Sequence, residues 1–232
     1  HLRQLLESVG THAQTGSPIT PDVRVVVVEQ LDHERTGVTL KFNRGKLLNI
    51  GFREMWFNSD GIFDERGHED DVFVAHDVDL VPNRSLFGCY SEATHGKAVH
   101  LARSWDRYNS SCHSRQGKIL YVGGILAVTC GDFLRTNGYS SSYWGWGGED
   151  DDYRVRMDAC DIRVAPPSTT DARVDDLEQI SLRQKLDLLR LTDAKCTDKW
   201  ELRKNSKQRQ HTDGLSSLEY HLCEASTHSF SS

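Results

Sequence analysis

Asp71-Val72-Phe73-Val74-Ala75-His76-Asp77-Val78-Asp79-Leu80-Val81-Pro82 decides the fold. Its apolar half, rich in valine and phenylalanine, reads as a buried strand. The strand ends on two carboxylates, Asp77 and Asp79. In an open α/β sheet, ligands bind just beyond the carboxyl ends of the strands. Residues two apart along a strand share a face, so both carboxylates reach one edge of a site. A pair so placed suits a hard divalent cation and the diphosphate that it neutralises. Asp-x-Asp is common by chance, and it gains weight from a second acidic element further along the chain.

That second element is Tyr143-Trp144-Gly145-Trp146-Gly147-Gly148-Glu149-Asp150-Asp151-Asp152, whose acidic run begins 70 residues after Asp79. Four adjacent like charges repel, so they need solvent, a cation or a helix end. Glycines let the backbone turn sharply, and tryptophans offer flat faces of the kind sugars stack on. The stretch reads as a mobile, sugar-facing loop that hands carboxylates into a site. The plainer reading is an acidic helix start after a glycine turn, with a buried tryptophan.

The remaining pattern alternates strands and helices. Strands are predicted at residues 23–28, 72–77, within 119–129 with an interruption at Gly123-Gly124, at 162–164 and at 215–223. Helices are predicted at 42–56, 130–137 with Gly138 as the stop, 150–159 and 177–191. The four valines of 25–28 suggest burial on both faces. Residues 1–8 read as the end of a helix, residues 10–21 as a polar linker and residues 83–117 as an irregular excursion forming one wall of a site. This order predicts an α/β fold with a mainly parallel central sheet, in one domain over 1–224 with a disordered tail at 225–232.

With 232 residues the chain can bury a substantial core. Its formal net charge of -6 and pI of about 6.0 leave no general nucleic-acid footprint. Basic residues do gather at Lys195, Lys199, Arg203, Lys204, Lys207 and Arg209, a solvated surface or a contact for a polyanion. No apolar run approaches the roughly 18–20 residues of a membrane span. Six cysteines without CxxC spacing argue against a zinc or thioredoxin-like site and leave one or two disulfides open. Asn83-Arg84-Ser85 and Asn109-Ser110-Ser111 are formal glycosylation acceptors.

Five segments together resemble the β1,4-galactosyltransferases, glycosyltransferase family 7. They are Phe42-Asn43-Arg44-Gly45-Lys46-Leu47-Leu48-Asn49-Ile50-Gly51-Phe52, Asp77-Val78-Asp79-Leu80-Val81-Pro82, Tyr121-Val122-Gly123-Gly124, Trp144-Gly145-Trp146-Gly147-Gly148-Glu149-Asp150-Asp151 and Asp213-Gly214-Leu215-Ser216-Ser217-Leu218-Glu219-Tyr220. They keep the family's order. His76 and the Tyr-Val-Gly-Gly-Ile-Leu run are most similar to the xylosylprotein (proteoglycan linkage) branch.

The resemblance implies a GT-A type, Rossmann-like nucleotide-sugar domain. The implied reaction is inverting transfer of galactose from UDP-galactose to a sugar hydroxyl, dependent on Mn²⁺. By resemblance Asp150 is the base, and Glu149, Asp151 and Gly148 hold the acceptor. Trp146 rides on a loop closing over donor and metal, Asp79 binds the metal, and Asp77 and Val78 contact the nucleotide-sugar. Phe42 and Arg44 line the uridine and phosphate end, and Tyr121 and Gly124 sit at the galactose and acceptor. Each has a plainer reading: a cap or salt bridge for Asp77, a surface charge for Arg44, and core packing for Phe42 and Tyr121. The acceptor would be a glycan on a glycoprotein, proteoglycan or glycolipid. Location would be the Golgi lumen, with membrane contact only through an anchor upstream of His1.

Two departures from the family bear on this expectation. The family's opening strand, ending in a Pro-Phe-Arg-type motif, is not found, and His1-Leu2-Arg3-Gln4-Leu5-Leu6 is similar to the helix after it, so the first strand is expected to be missing. The family also supplies metal-binding histidine about ten residues after its Pro-Pro region. Here Asp171-Ala172-Arg173-Val174-Asp175-Asp176-Leu177-Glu178-Gln179 has none. Counting along places Asp176 and Gln179 at the ligand positions, with Glu178 behind. Carboxylate can replace imidazole for Mn²⁺. The competing readings are a helix N-cap at Asp175-Asp176, a non-catalytic sugar-nucleotide or glycan-binding homologue, and a transferase for UDP-GalNAc or UDP-glucose.

Overall fold

The computed structural model describes residues 23–31, 40–56, 69–103, 114–115, 118–119 and 121–226. Its strands are β1 (Val72–His76), β2 (Leu80–Pro82), β3 (Lys97–His100), β4 (Ser114–Arg115), β5 (Lys118–Ile119), β6 (Ile125–Thr129), β7 (Arg163–Ala165) and β8 (Val174–Asp176). Its helices are α1 (Arg44–Trp56), α2 (Arg84–Phe87), α3 (Cys130–Arg135), α4 (Glu149–Ala159), α5 (Leu182–Leu191), α6 (Lys199–Lys204) and α7 (Ser206–Arg209).

The main sheet runs β1-β6-β3-β7. Strand β6 is antiparallel to both β1 and β3, and only β3 and β7 are parallel. The sheet is therefore mixed, which corrects the expectation of a mainly parallel one. The apolar run Ile125–Thr129 is buried throughout. Such a run reports burial on both faces and carries no information about strand direction.

Alternation along β6 divides the core. Leu126 and Val128 face Phe52 of α1, Phe133 of α3 and Tyr153 and Met157 of α4. Ile125 and Ala127 face Leu86, Leu80 and Val174, the side covered by α2 and the β2-β8 ribbon. Aromatic packing closes the first layer: Phe133 lies 4.5 Å from Phe52 and 4.6 Å from Phe73, and Tyr139 stacks on Tyr153 at 4.1 Å.

Several predicted elements differ. Residues 23–28 form no ladder, and Val23, Val25, Val26 and Val27 are 39–54% exposed. Residue type alone suggests burial there, but a strand needs a partner, and none pairs with it among the described residues. The 83–117 excursion contains α2 and the interior strand β3, four residues too short to show a period. Residues 215–223 form a 3-10 turn (Leu215–Ser217) and no strand. The expected helix over 177–191 starts only at Leu182, where Ser181 and Gln184 form a reciprocal capping box. Residues 1–8, the linker at 10–21 and the tail beyond 226 lie outside the described residues. Five described cysteines are free thiols. No described helix is long and apolar enough to cross a membrane.

A buried ionic network locks α4 to the 213–217 turn. Arg156 and Asp152, both fully buried, pair at 2.8 Å. Arg156 Nη1 donates to the carbonyls of Gly138 (3.1 Å) and Asp213 (2.7 Å). Tyr143 donates its hydroxyl to Asp152, and Arg209 binds Asp213 at 2.8 Å. Two cations thus meet two anions, with Arg156 and Asp152 wholly removed from water. Breaking such a pair leaves a buried charge unpaired, which costs about 3–5 kcal/mol. Arg156→Met is expected to lower unfolding free energy by about that amount in urea titration, and Arg156→Met with Asp152→Leu to recover part of it. An unchanged midpoint in the single variant would remove the network from the stability of the fold.

Candidate active site

One guanidinium organises the site. Arg44 opens α1, its Nε binds Asp77 at 2.6 Å and its Nη1 binds Asp150 at 2.8 Å. Glu149 stands 3.7 Å from the same Nη1. Asp77 lies just past β1, where its amide donates to the Gly124 carbonyl at 2.9 Å. Asp150 and Glu149 begin α4. Elements distant in sequence therefore deliver three carboxylates to one cation. Burial works against the charge on Arg44, but the facing carboxylates, Asp77 and Asp150 first, hold it firmly protonated. Burial also pushes the carboxyls up, against the pull of Arg44: Asp150 to about 6 and Glu149 to about 8.

The glycine-rich stretch is a turn leading into α4. Gly148 is its N-cap at φ 112, where a Cβ would also come within 2.7 Å of the Tyr143 ring. The acidic first turn then meets the positive end of the helix. Trp146 is half-buried and tied by backbone to a neighbouring segment, its amide donating to Ala194 at 2.7 Å and its carbonyl accepting from Cys196 at 3.2 Å.

Gly123 forms the floor beneath the base candidate. A Cβ there would strike the Tyr121 hydroxyl and stand 2.5 Å from Asp150 Oδ2. Tyr121 is half-buried and edge-on to His100, whose Nε2–H donates to the Gly123 carbonyl at 2.9 Å. Behind Asp77, the carbonyl accepts from His76 Nδ1–H at 2.9 Å, and His76 Nε2 accepts from the Tyr90 hydroxyl at 2.7 Å. Burial pushes the His76 pKa down, which favours this neutral tautomer.

A separate cluster forms where β2 pairs antiparallel with β8. Leu80 stands opposite Asp176, and the Asp79 carbonyl accepts from Leu177 at 2.8 Å. Ligand oxygens of Asp79, Asp176 and Glu178 all lie within 4.8 Å of one another, half-buried. Asp176 is on a strand, so the N-cap reading does not hold. Gln179 is exposed, with φ 51, and stays outside the group. Lys185 of α5 pairs with both oxygens of Glu178, at 2.6 and 2.9 Å. The cluster offers only carboxylate oxygens, a donor set that suits Mg²⁺, Ca²⁺ and Mn²⁺.

The other expected residues sit at the edge of this arrangement. Phe42 is 57% exposed and Val78 44%, so neither is core. Asp151 is half-buried with Arg203 3.7 Å away. Counting along the sequence favours Gln179 over Glu178, and the β2-β8 register with the turn after it reverses the two. Tyr90, in the turn after α2, and His100, on β3, carry no motif of their own and become visible only when the fold brings them to His76 and Gly123.

A family model described as the N-terminal domain of galactosyltransferase matches residues 103–180. β1,4-galactosyltransferase 4 of Mus musculus is 38% identical over 144 residues, 60% of this chain and 37% of that protein. The Cricetulus griseus protein of the same name is 32% identical over 199 residues, 84% of this chain and 51% of that one. The chain thus spans about half or less of these curated relatives. In structure it is similar to the catalytic domain of Drosophila β1,4-galactosyltransferase 7 in complex with xylobiose, with a TM-score of 0.57, 24% identity, and coverage of 96% of this chain and 80% of that one. A mutant of that enzyme in complex with manganese, UDP-Gal and xylobiose gives 0.59 at 23% identity, with the same coverage. The similarities to the type 4 proteins run higher in identity than the likeness to type 7, and so do not single out the xylosylprotein branch. The chain is thus similar in sequence to the β1,4-galactosyltransferases and shares the fold of the Drosophila catalytic domain.

Proposed function

We propose that this chain forms the catalytic core of an inverting β1,4-galactosyltransferase that moves galactose from UDP-galactose to a sugar hydroxyl. The observation that carries this reading is the bridge from Arg44 to Asp77 and Asp150, which brings a nucleotide-sugar contact and a base to one edge of the sheet. Inversion is a single displacement, so it needs one base and no enzyme nucleophile. Asp150 takes the proton of the acceptor hydroxyl as that oxygen attacks the anomeric carbon and UDP departs. A base pushed up to about 6 is still ionised at neutral pH and is stronger than an ordinary carboxylate. Arg44 holds its carboxylate in place and keeps it from rising further.

Gly123 keeps space open below Asp150, and Tyr121 and Gly124 bound the sugar there. Phe42, exposed beside Arg44, offers a face to the uridine, and Asp77 and Val78 contact the nucleotide-sugar. Glu149, Asp151, Gly148 and Trp146 line the acceptor side, and the ties of Trp146 to residues 194–196 let that segment close with it and exclude water. Asp79, Asp176 and Glu178 would hold Mn²⁺, which fits an all-oxygen set. Bound there, the metal supplies neutralisation of the charge that develops on the leaving diphosphate. Xylose, the unit of the xylobiose in the solved Drosophila complexes, is the first acceptor to assay, and N-acetylglucosamine the second.

Two outcomes test the reading. Asp150→Asn is expected to lower kcat by about 10²–10⁴-fold, and wild-type rate to fall tenfold per unit below a pH of about 6, where Asp150 gains its proton. A variant within threefold of wild type would take the base role from Asp150. In calorimetric titration of UDP, Mn²⁺ is expected to strengthen binding by the wild type, and Asp176→Ala to reduce that gain at least tenfold. An undiminished gain in Asp176→Ala would place the metal elsewhere.

A further inference from the structure

Three carboxyls, Asp77, Asp150 and Glu149, face one guanidinium in a largely desolvated pocket. Their partners are unequal. Asp77 and Asp150 each accept a direct hydrogen bond from Arg44, at 2.6 and 2.8 Å. Glu149 approaches the same cation only to 3.7 Å, through Oε1. Its Oε2 is buried without a hydrogen-bond partner among the described residues, and the residue as a whole is 6% exposed. A bare carboxylate in that position would be costly, since no donor meets that oxygen. A neutral carboxyl there costs far less, and presents an O–H to whatever oxygen enters the site.

We infer that Glu149 works as a neutral carboxyl whose Oε2–H donates a hydrogen bond to an oxygen of the acceptor sugar, while Asp150 beside it carries the negative charge. This rests on the acceptor-side reading of Glu149 given above and assigns its protonation and its direction of donation. The surroundings agree. Burial is the chief influence raising the Glu149 pKa, and Asp150 and Asp77 add to it, while Arg44 and a hydrogen bond from the residue's own backbone oppose. Tyr139, also buried, and the Cys196 thiol face it as well, and burial holds both protonated, Cys196 up to about 11. Asp151 acts on Asp150 from the solvent side of α4. Two adjacent carboxyls that titrate together do so as a pair. The hydrogen bond from Arg44 decides which of the two keeps the charge, and it goes to Asp150.

The experiment compares wild type, Glu149→Gln, Glu149→Asp and Glu149→Ala in pH profiles of kcat/KM on a sugar acceptor. Glu149→Gln keeps an N–H donor of nearly the same shape and is expected to lose less of kcat/KM at pH 7 than Glu149→Ala does. Glu149→Ala is expected to lose about 10–100-fold, the worth of a hydrogen bond that a buried site is built to make. Wild type is expected to lose rate as pH rises through about 8, where Glu149 would ionise, and Glu149→Gln to lack that alkaline limb. A fall in Glu149→Gln as deep as in Glu149→Ala, or an alkaline limb that persists in it, overturns the inference. Circular dichroism of each variant separates loss of function from loss of fold. Should the wild type transfer no galactose to any acceptor, the functional reading fails separately. The Glu149 carboxyl carbon, identified in ¹³C spectra by its disappearance in Glu149→Gln, then decides the matter alone. Titration above neutral pH upholds the neutral carboxyl, and titration in the ordinary carboxylate range overturns it.

Discussion

The Arg44 guanidinium is the constraint around which the site is built. It joins the end of β1, through Asp77, to the start of α4, through Asp150, while its own backbone begins α1. Buried carboxylates at this density would repel one another and lose hydration. A single planar cation with several fixed donors satisfies two of them at once, in a geometry that lysine cannot reproduce. The sheet end, the helix start and the acidic turn thus have one relative arrangement in which their charges are tolerable. Tyr139, whose ring lies 6.0 Å from the guanidinium, ties that arrangement to the aromatic layer below.

The rest of the fold holds the three contributors still. Phe52, Phe73 and Phe133 interlock α1, β1 and α3, so Arg44 and Asp77 ride on elements that share a core. Helix α4 is fixed at both levels, by Tyr153 and Met157 in that core and by the Arg156 and Asp152 pair above it. The Asp213-Gly214 turn belongs to this support. Asp213 also accepts from the amide of Ser141 at 2.9 Å, and Gly214, at φ 146, lies so near the Asn137 carbonyl that a side chain has no room. Its motif, strong in the sequence, is therefore a structural clasp on the far end of the acidic helix.

The carboxylate cluster obeys a different logic. Asp79 and Asp176 are brought together by strand register, since Leu80 and Asp176 are partners in the β2-β8 ladder. Glu178 then returns to them because the chain turns immediately after β8, with the Glu178 amide donating to Asp176 at 3.0 Å. Lys185 balances Glu178 from α5. A ladder fixes two ligands rigidly, while the third sits on a turn next to a helix whose capping box defines where it begins. The cluster offers a cation carboxylate oxygens alone.

Much of this was legible in the residues. The strand ending in Asp77 and Asp79 and the helices expected over 42–56 and 150–159 come from local pattern. These features are short-range: hydrophobic period, an acidic first turn and glycine at a left-handed position each act within a few residues. The helix expected over 130–137, by contrast, stops at Arg135, and the bridge from Arg44 to Asp77 and Asp150 is seen only in the fold. What only the tertiary structure decided is long-range. Strand direction made the sheet mixed, because an apolar run is equally buried either way. Without a pairing partner among the described residues, residues 23–27 are exposed, although valine favours strands. The turn after β8 selected Glu178 over Gln179, and the unequal sharing of one guanidinium set the surroundings of Glu149 and Asp150 apart. Each of these outcomes depends on which groups meet across the fold, and the energy of burying a charge is fixed by its partners in space.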